Sequence, residues 1–349
     1  MADPQTGKEN DAAARMRPLF VLSLWRSGSS LLHALLNQHS QIALLYEGEL
    51  PQLQLLLWAH LRDGSWRERW EFYNQGPSRH GIALESMPPE VSDVWQATRI
   101  VHREFARRKQ AMIWGEKSPH WYDNALQMAR RFPDAQFIFL WRDVNAILRS
   151  IQRAASGERF FRRPGFTTRV LLGTEKLRSA CDTLRAQGRS VFELDYEELT
   201  SRPVDAMQQV CKFLNVPFED QVTSLQGADR SATFAGEHHS MVRGDKILVA
   251  TRNTATLTPA VRAKVARYVR RWRIASGGTW PSYPSKLGED IQSPGVLELC
   301  RDRVAYRALV SWDNAVKLAY GIAPLTFAQS IRSWLRQRIH AKAWAGVSQ

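Results

Sequence analysis

Short apolar runs, each ending at a polar turn, alternate along this chain with stretches of helical spacing. Residues 17–25 (RPLFVLSLW) form the first run and predict a buried strand. Helical spacing follows at once in SSLLHALLNQHS, which puts Leu31, Leu32, Leu35 and Leu36 on one face. Residues 42–45 predict a second short strand that leads into YEGELPQL. Residues 52–110 read as mainly helical and rich in Trp, Leu and Arg. GEKSP (115–119) interrupts that pattern, and a helix follows in HWYDNALQMARRF. Pro133-Asp134 marks a turn. QFIFLW (136–141) predicts another buried strand, residues 143–154 a helix, and SVFELD (190–195) a further strand followed by a turn and a helix. Residues 1–15 read as a flexible arm, and no internal repeat is apparent.

Strands alternating with helices over about 200 residues imply an α/β fold, a mostly parallel central sheet with helices on both faces. Ligands of such sheets bind outside the carboxyl ends of the strands. The unusual polar residues fall at those ends: Arg26 after the first strand, Glu47 after the second, Arg142 after QFIFLW and Tyr196 after SVFELD.

Composition narrows the classes. The 349 residues are 44% hydrophobic and 23% charged, which excludes a wholly disordered or fibrous chain. The longest apolar runs, such as 53–59 and 136–141, fall far short of the ~20 residues of a membrane helix. The first sixteen residues show no secretory signal. Cys181, Cys211 and Cys300 lie far apart, without metal-like spacing, as expected of buried thiols in a reducing compartment. Lys and Arg number 48 against 34 acids, a net charge of +14 that draws anions. Nucleic acid, an anionic membrane, or a phosphorylated or sulfated small molecule would all answer to it. The thirteen tryptophans could stack bases, but core and boundary positions account for them as well.

Two motifs carry chemistry. In strand–WRSGSSLL–helix, Gly28 permits a tight turn and close approach of backbone to ligand. Ser27, Ser29 and Ser30 offer hydroxyls, the amides at the helix start point outward, and Arg26 adds a charge. This is a phosphate or sulfate cradle, although an ordinary Ser-rich helix cap would look the same. It is not a nucleoside-triphosphate P-loop, because G-x-x-x-x-G-K-[ST] is absent, and that disfavours a P-loop kinase. In the second motif, Trp141-Arg142-Asp143 closes a strand and Ser150 follows eight residues after Arg142, about two helical turns in. Arg142 supplies a fork for a phosphate and Ser150 a hydroxyl. A surface Arg and a solvated Ser would fit that spacing too.

Taken together, the two motifs resemble those of the sulfotransferases that use 3′-phosphoadenosine 5′-phosphosulfate (PAPS). That family has a strand–RSG[TS][TS]–helix loop for the 5′-phosphosulfate and an R-D…S pattern for the 3′-phosphate. Similar to its bacterial members are EKSP (116–119) and FPDAQFI (132–138), and VFELDYEEL (191–199) is similar to the family's V-x-Y-E-x-L. The resemblance covers about residues 17–275 and is nearest the bacterial and tyrosylprotein-type branch. Trp25 and Val144 depart from the usual residues without removing a ligand-binding group.

The resemblance implies a three-layer P-loop-like fold with the sulfotransferase domain over residues 16–280; residues 276–349 have no counterpart in the family, and 281–349 read from their own spacing as a helical C-terminal extension. The resemblance also implies PAPS as co-substrate, no metal, and in-line transfer to an acceptor hydroxyl of unspecified class. Arg26, Ser27, Gly28, Ser29, Ser30 and Leu31 would then hold the phosphosulfate, Arg142 and Ser150 the 3′-phosphate, and Tyr196 would border adenine. Glu47, twenty-one residues past Arg26, would be the general base, with Glu49 as the fallback. A histidine base, as in the steroid and phenol branch, would have to be His33, His39 or His120. Lys117 and Arg26 would stabilise the leaving phosphate. Ser240 and Arg243 align loosely with a late loop that closes over the donor.

Two segments bear on partners. GERFFRRPGFTTR (157–169) reads as a loop at the acceptor mouth or as plain surface. The C-terminal stretch has Phe327, Ile331, Trp334, Leu335 and Ile339 at helical spacing, with Arg332, Arg336, Arg338 and Lys342 between them. It predicts a closing helix, a membrane-surface helix or an oligomer contact. No nucleic acid is expected, since no reader motif is present. A non-catalytic relative binding anionic lipid, polysaccharide or nucleic acid is the alternative function. The donor chemistry and the absence of a visible leader suggest a cytoplasmic location.

Overall fold

The computed structural model describes residues 16–48, 91, 93–119, 122, 124–157, 159–162, 165–229, 242, 244–248, 257–275, 292–322, 326–327 and 330. The expected arm, the helices expected over 52–90, Glu49, His120, Ser240, Arg243 and most of the C-terminal stretch lie outside the described residues.

Five strands, β1 (Arg17–Leu22), β2 (Ile42–Tyr46), β3 (Ile113–Ser118), β4 (Gln136–Trp141) and β5 (Ser190–Asp195), form one sheet in the order β2-β3-β1-β4-β5. Every pairing is parallel. Parallel strands need crossovers, and these are α1 (Ser29–Leu36), α2 (Val94–Arg108), α3 (Ala125–Arg131), α4 (Val144–Gly157) and α5 (Phe166–Ala186). After β5 come α6 (Tyr196–Ser201), α7 (Pro203–Leu214), α8 (Pro259–Ala275) and α9 (Val296–Ile322).

Strand alternation builds a core on each face. Phe20, Leu22, Trp114, Phe137 and Phe139 point to one side, where α2 to α5 and α8 cover them. Leu19, Val21, Ile113, Ile138 and Leu140 point to the other side, under α1 and α7. Helix, sheet and helix make three layers.

Two boundaries differ from the sequence reading. The first strand stops at Leu22 rather than residue 25, because the chain turns there: the Ser27 amide reaches back to the Leu24 carbonyl at 3.3 Å. GEKSP does not interrupt a helix. Residues Ile113–Ser118 form β3, a central strand between β1 and β2. Its polar residues hide the strand pattern, since they are buried through partners the sequence places far away. Gly115 is required there by close approach, because a Cβ would sit 1.8 Å from the Leu19 carbonyl oxygen.

The strand order turns at β1. The chain runs from β1 out to β2, returns to β3, then crosses to β4 and β5 on the other side. The carboxyl ends of β1, β3 and β4 therefore meet at the switch point, where such sheets place their ligands.

Candidate functional site

The loop between β1 and α1 sits at that point. Gly28 is the residue before α1 and has φ +93°. A Cβ on it would lie 2.1 Å from Cε2 of Tyr196, so both backbone and space demand glycine. No side chain caps α1, which leaves its leading amides to an incoming acceptor. Ser27 and Ser29 are buried, and the Ser30 hydroxyl lies 2.8 Å from the Tyr46 hydroxyl. The Leu31 amide donates to the Gly28 carbonyl at 2.9 Å and its side chain joins the core. Trp25 anchors the loop edge-on against Tyr122 and Phe166.

The second motif folds onto the first. Asp143 caps α4 by accepting from the Ala146 amide at 2.7 Å, which sets the helix direction. Ser150 then returns to the loop, and Arg26 Nε donates to its Oγ at 3.0 Å. Arg142 donates through NH1 to the Arg26 carbonyl at 2.8 Å, and its guanidinium lies 4.1 Å from the Tyr196 ring centre. Arg26, Arg142, Ser150 and Tyr196 thus form one cluster drawn from three strand ends. Burial raises the Tyr196 phenol above its ordinary pKa, against the opposing pull of Arg142, so the ring stays neutral.

The third part joins β2 to β3. Lys117 is 2% exposed, and its Nζ donates to Glu47 Oε1 at 2.5 Å. It also lies 4.0 Å above the Tyr46 ring. Burial opposes its charge, but the Glu47 carboxylate and Tyr46 outweigh that and hold the ammonium above its ordinary pKa. The β2–β3 ladder continues one step beyond Tyr46, with the Glu47 amide on the Lys117 carbonyl at 2.9 Å. Arg26 and Glu47 both take positive φ, +68° and +51°. Backbone strain of this kind persists where surrounding structure holds it, commonly at functional sites.

Three features escaped the sequence reading. Tyr46 links the Ser30 hydroxyl to Lys117, and only its place one residue before Glu47 hinted at it. On the opposite side of β3, Glu116 is fully buried against His102 Nε2 at 3.0 Å, and His102 Nδ1 reaches the Thr98 carbonyl at 2.6 Å. That pair accounts for the other charge of the EKS run. Phe161, inside the segment expected as an acceptor loop, is buried beneath Arg26 at 5.9 Å. Of the histidines considered as bases, the two described ones have structural partners. His33 faces the Leu44 carbonyl and Asn37, and His39 faces the Pro217 carbonyl.

A sulfotransferase family model matches residues 18–220, more than half of the chain and the whole stretch that builds this cluster. The chain belongs to the sulfotransferase family. Protein-tyrosine sulfotransferase A of Caenorhabditis elegans is 22% identical over 218 residues, which are 62% of this chain and 54% of that protein. The chain therefore spans about half the length of this curated relative. The sulfotransferase domain from the curacin biosynthetic pathway superposes with a TM-score of 0.51 at 18% identity, covering 76% of this chain and 99% of that one. The sulfotransferase domain from the Synechococcus PCC 7002 olefin synthase gives 0.47 at 20% identity, covering 74% and 95%. At 18% identity the curacin-pathway domain bears on the fold alone, and it agrees with the sheet described above. Among the described residues of this chain, no three His, Cys, Asp or Glu side chains gather as a metal site would need.

Proposed function

We propose that this chain transfers a sulfuryl group from PAPS to an acceptor hydroxyl. The observation that carries the reading is the convergence of Arg26, Ser150 and Arg142 at the uncapped start of α1, beside a buried Lys117–Glu47 pair. The cluster suits a doubly anionic nucleotide. Arg142 Nε and Ser23 Oγ are buried donors without a protein partner, and the leading amides of α1 have no side-chain cap.

The roles follow from position. Arg26, Ser27, Gly28, Ser29 and Ser30 receive the phosphosulfate. Leu31 supports that turn from the core. Arg142 and Ser150 receive the 3′-phosphate, and the neutral Tyr196 ring borders the base. Sulfuryl transfer resembles phosphoryl transfer, in which positioning and charge stabilisation do most of the catalysis. Negative charge grows on the leaving phosphate oxygen, and the Lys117 ammonium and Arg26 face it. Glu47 Oε1 is held by Lys117, which leaves Oε2 to take the proton of the acceptor hydroxyl. The pairing keeps Lys117 cationic before substrate arrives.

The test is calorimetric titration with 3′-phosphoadenosine 5′-phosphate beside 5′-AMP, on wild type, Arg142→Ala and Glu47→Gln. Wild type should prefer the bisphosphate strongly, and Arg142→Ala should lose the preference. Glu47→Gln should keep it while turnover with PAPS falls by about 10² to 10⁴. Equal binding of the two nucleotides by wild type would overturn the reading.

A further inference from the structure

The long helix α9 carries apolar side chains on two opposite faces. Its inner face packs on the domain: Tyr306 is buried, Leu299 and Val310 contact the core, and Leu309 closes against Gly165 at the start of α5. At 100° per residue, Leu297, Val304, Trp312 and Leu318 lie on the far side, about 180° away. They are 87%, 67%, 69% and 40% exposed. Ala308 and Ala315, also exposed, fill the stripe between them. Of the ten large hydrophobic residues exposed among those described, five are on α9. A helix that is apolar on both faces but packed on one presents a surface for a partner.

Charge decides which partner. Each acidic residue of α9 is turned inward: Glu298 pairs with Arg267, Asp302 with Lys264 and Tyr268, and Asp313 with Arg169. Arg303 and Arg307 are exposed along one edge of the apolar stripe, and Arg301, also exposed, stands within it. An apolar band whose exposed charged neighbours, among the described residues of α9, are all cations matches the boundary of an anionic bilayer. We infer that α9 lies flat on an anionic phospholipid surface, with Leu297, Val304, Trp312 and Leu318 in the headgroup boundary and the arginines on lipid headgroups. This is surface docking, since no helix among the described residues is long and apolar enough to cross a membrane. It is independent of the donor chemistry proposed above.

Vesicle flotation tests it, with phosphatidylglycerol mixed into phosphatidylcholine against phosphatidylcholine alone. Wild type should float with the anionic vesicles only. Replacing Arg301, Arg303 and Arg307 together by Gln should weaken binding roughly a hundredfold, at about fivefold per arginine. The pair Val304→Ser and Trp312→Ser should weaken it more than about tenfold. All these positions are exposed, and thermal melting checks that each variant is folded. Bromine-labelled acyl chains should quench wild-type tryptophan fluorescence more than that of Trp312→Phe. Failure of wild type to float overturns the inference, as does flotation of both variants at the wild-type level. A dimer in sedimentation analysis that the Val304→Ser, Trp312→Ser pair abolishes would assign the face to a second copy instead.

Discussion

Lys117 is a buried cation at the end of a central strand, and its charge survives because of its neighbours. Burial alone would favour the neutral amine, but the carboxylate of Glu47 and the face of Tyr46 reverse that balance. Tyr46 is held in turn by the Ser30 hydroxyl, so one phenol joins the anion loop to the cation. In the proposed reaction it is a positioning residue. Tyr46→Phe should lower kcat about tenfold while leaving the affinity for 3′-phosphoadenosine 5′-phosphate unchanged, read by steady-state kinetics beside calorimetry. A change in nucleotide affinity with kcat intact would assign Tyr46 to donor binding instead.

Glu197 is the second residue with an unusual charge state. Its carboxyl is pushed up to about 7, first by burial and then by the neighbouring Asp195, while Arg142 pulls the other way. The folded value lies above the ordinary 4.5, so the folded state holds this proton more tightly. The resulting stability is complete below 4.5 and is lost as pH rises to about 7. Glu197→Gln should therefore match wild type in urea unfolding at pH 4 and exceed it at pH 8. Identical profiles at both pH values would show a solvated carboxylate.

At the scale of elements, the anion loop depends on a close contact between the start of α1 and the start of α6. Gly28 touches the Tyr196 ring, so the loop and the β5 end are fitted to each other. Gly28→Ala should lower thermal stability through both the clash and the positive φ, at a cost of at least about 1–2 kcal/mol. It should also abolish nucleotide binding. Adding Tyr196→Ala should recover part of the melting temperature by opening the space; no recovery would mean that the φ alone carries the cost. Element legibility followed the same logic. β1, β2 and β4 were readable because each holds an unbroken run of five apolar residues, and β5 because Val191, Phe192 and Leu194 precede a turn and a helix. β3 was not, because its Glu116 and Lys117 are paired across the fold with His102 and Glu47.

At the scale of the whole molecule, polar tethers dock the C-terminal helices on α5. Asp302 is 3% exposed and accepts from both the Lys264 ammonium and the Tyr268 hydroxyl, joining α8 to α9. Arg271 and Trp272 of α8 both reach Glu175 of α5. Removing one partner from such a buried pair leaves the other uncompensated. Asp302→Ala should cost about 3 kcal/mol in urea unfolding. A loss under about 1 kcal/mol would mean that water replaces the carboxylate and that the tether is incidental.

The sequence by itself determined the parallel α/β alternation, the ordered motifs around Arg26 and Arg142, and the place of Glu47 at a strand end, while Lys117 was marked only by the family resemblance. These are local properties: apolar period, turn residues, and spacing within one strand–helix unit. The tertiary structure alone decided which of those residues meet. Parallel pairing sets Tyr46 beside Lys117 and brings Glu47 to the same lysine from 70 residues away. A capped α4 brings Ser150 to Arg26 from 124 residues away. Register and crossover direction carry that information, because strand pairing and helix packing place side chains by distance through the core rather than along the chain.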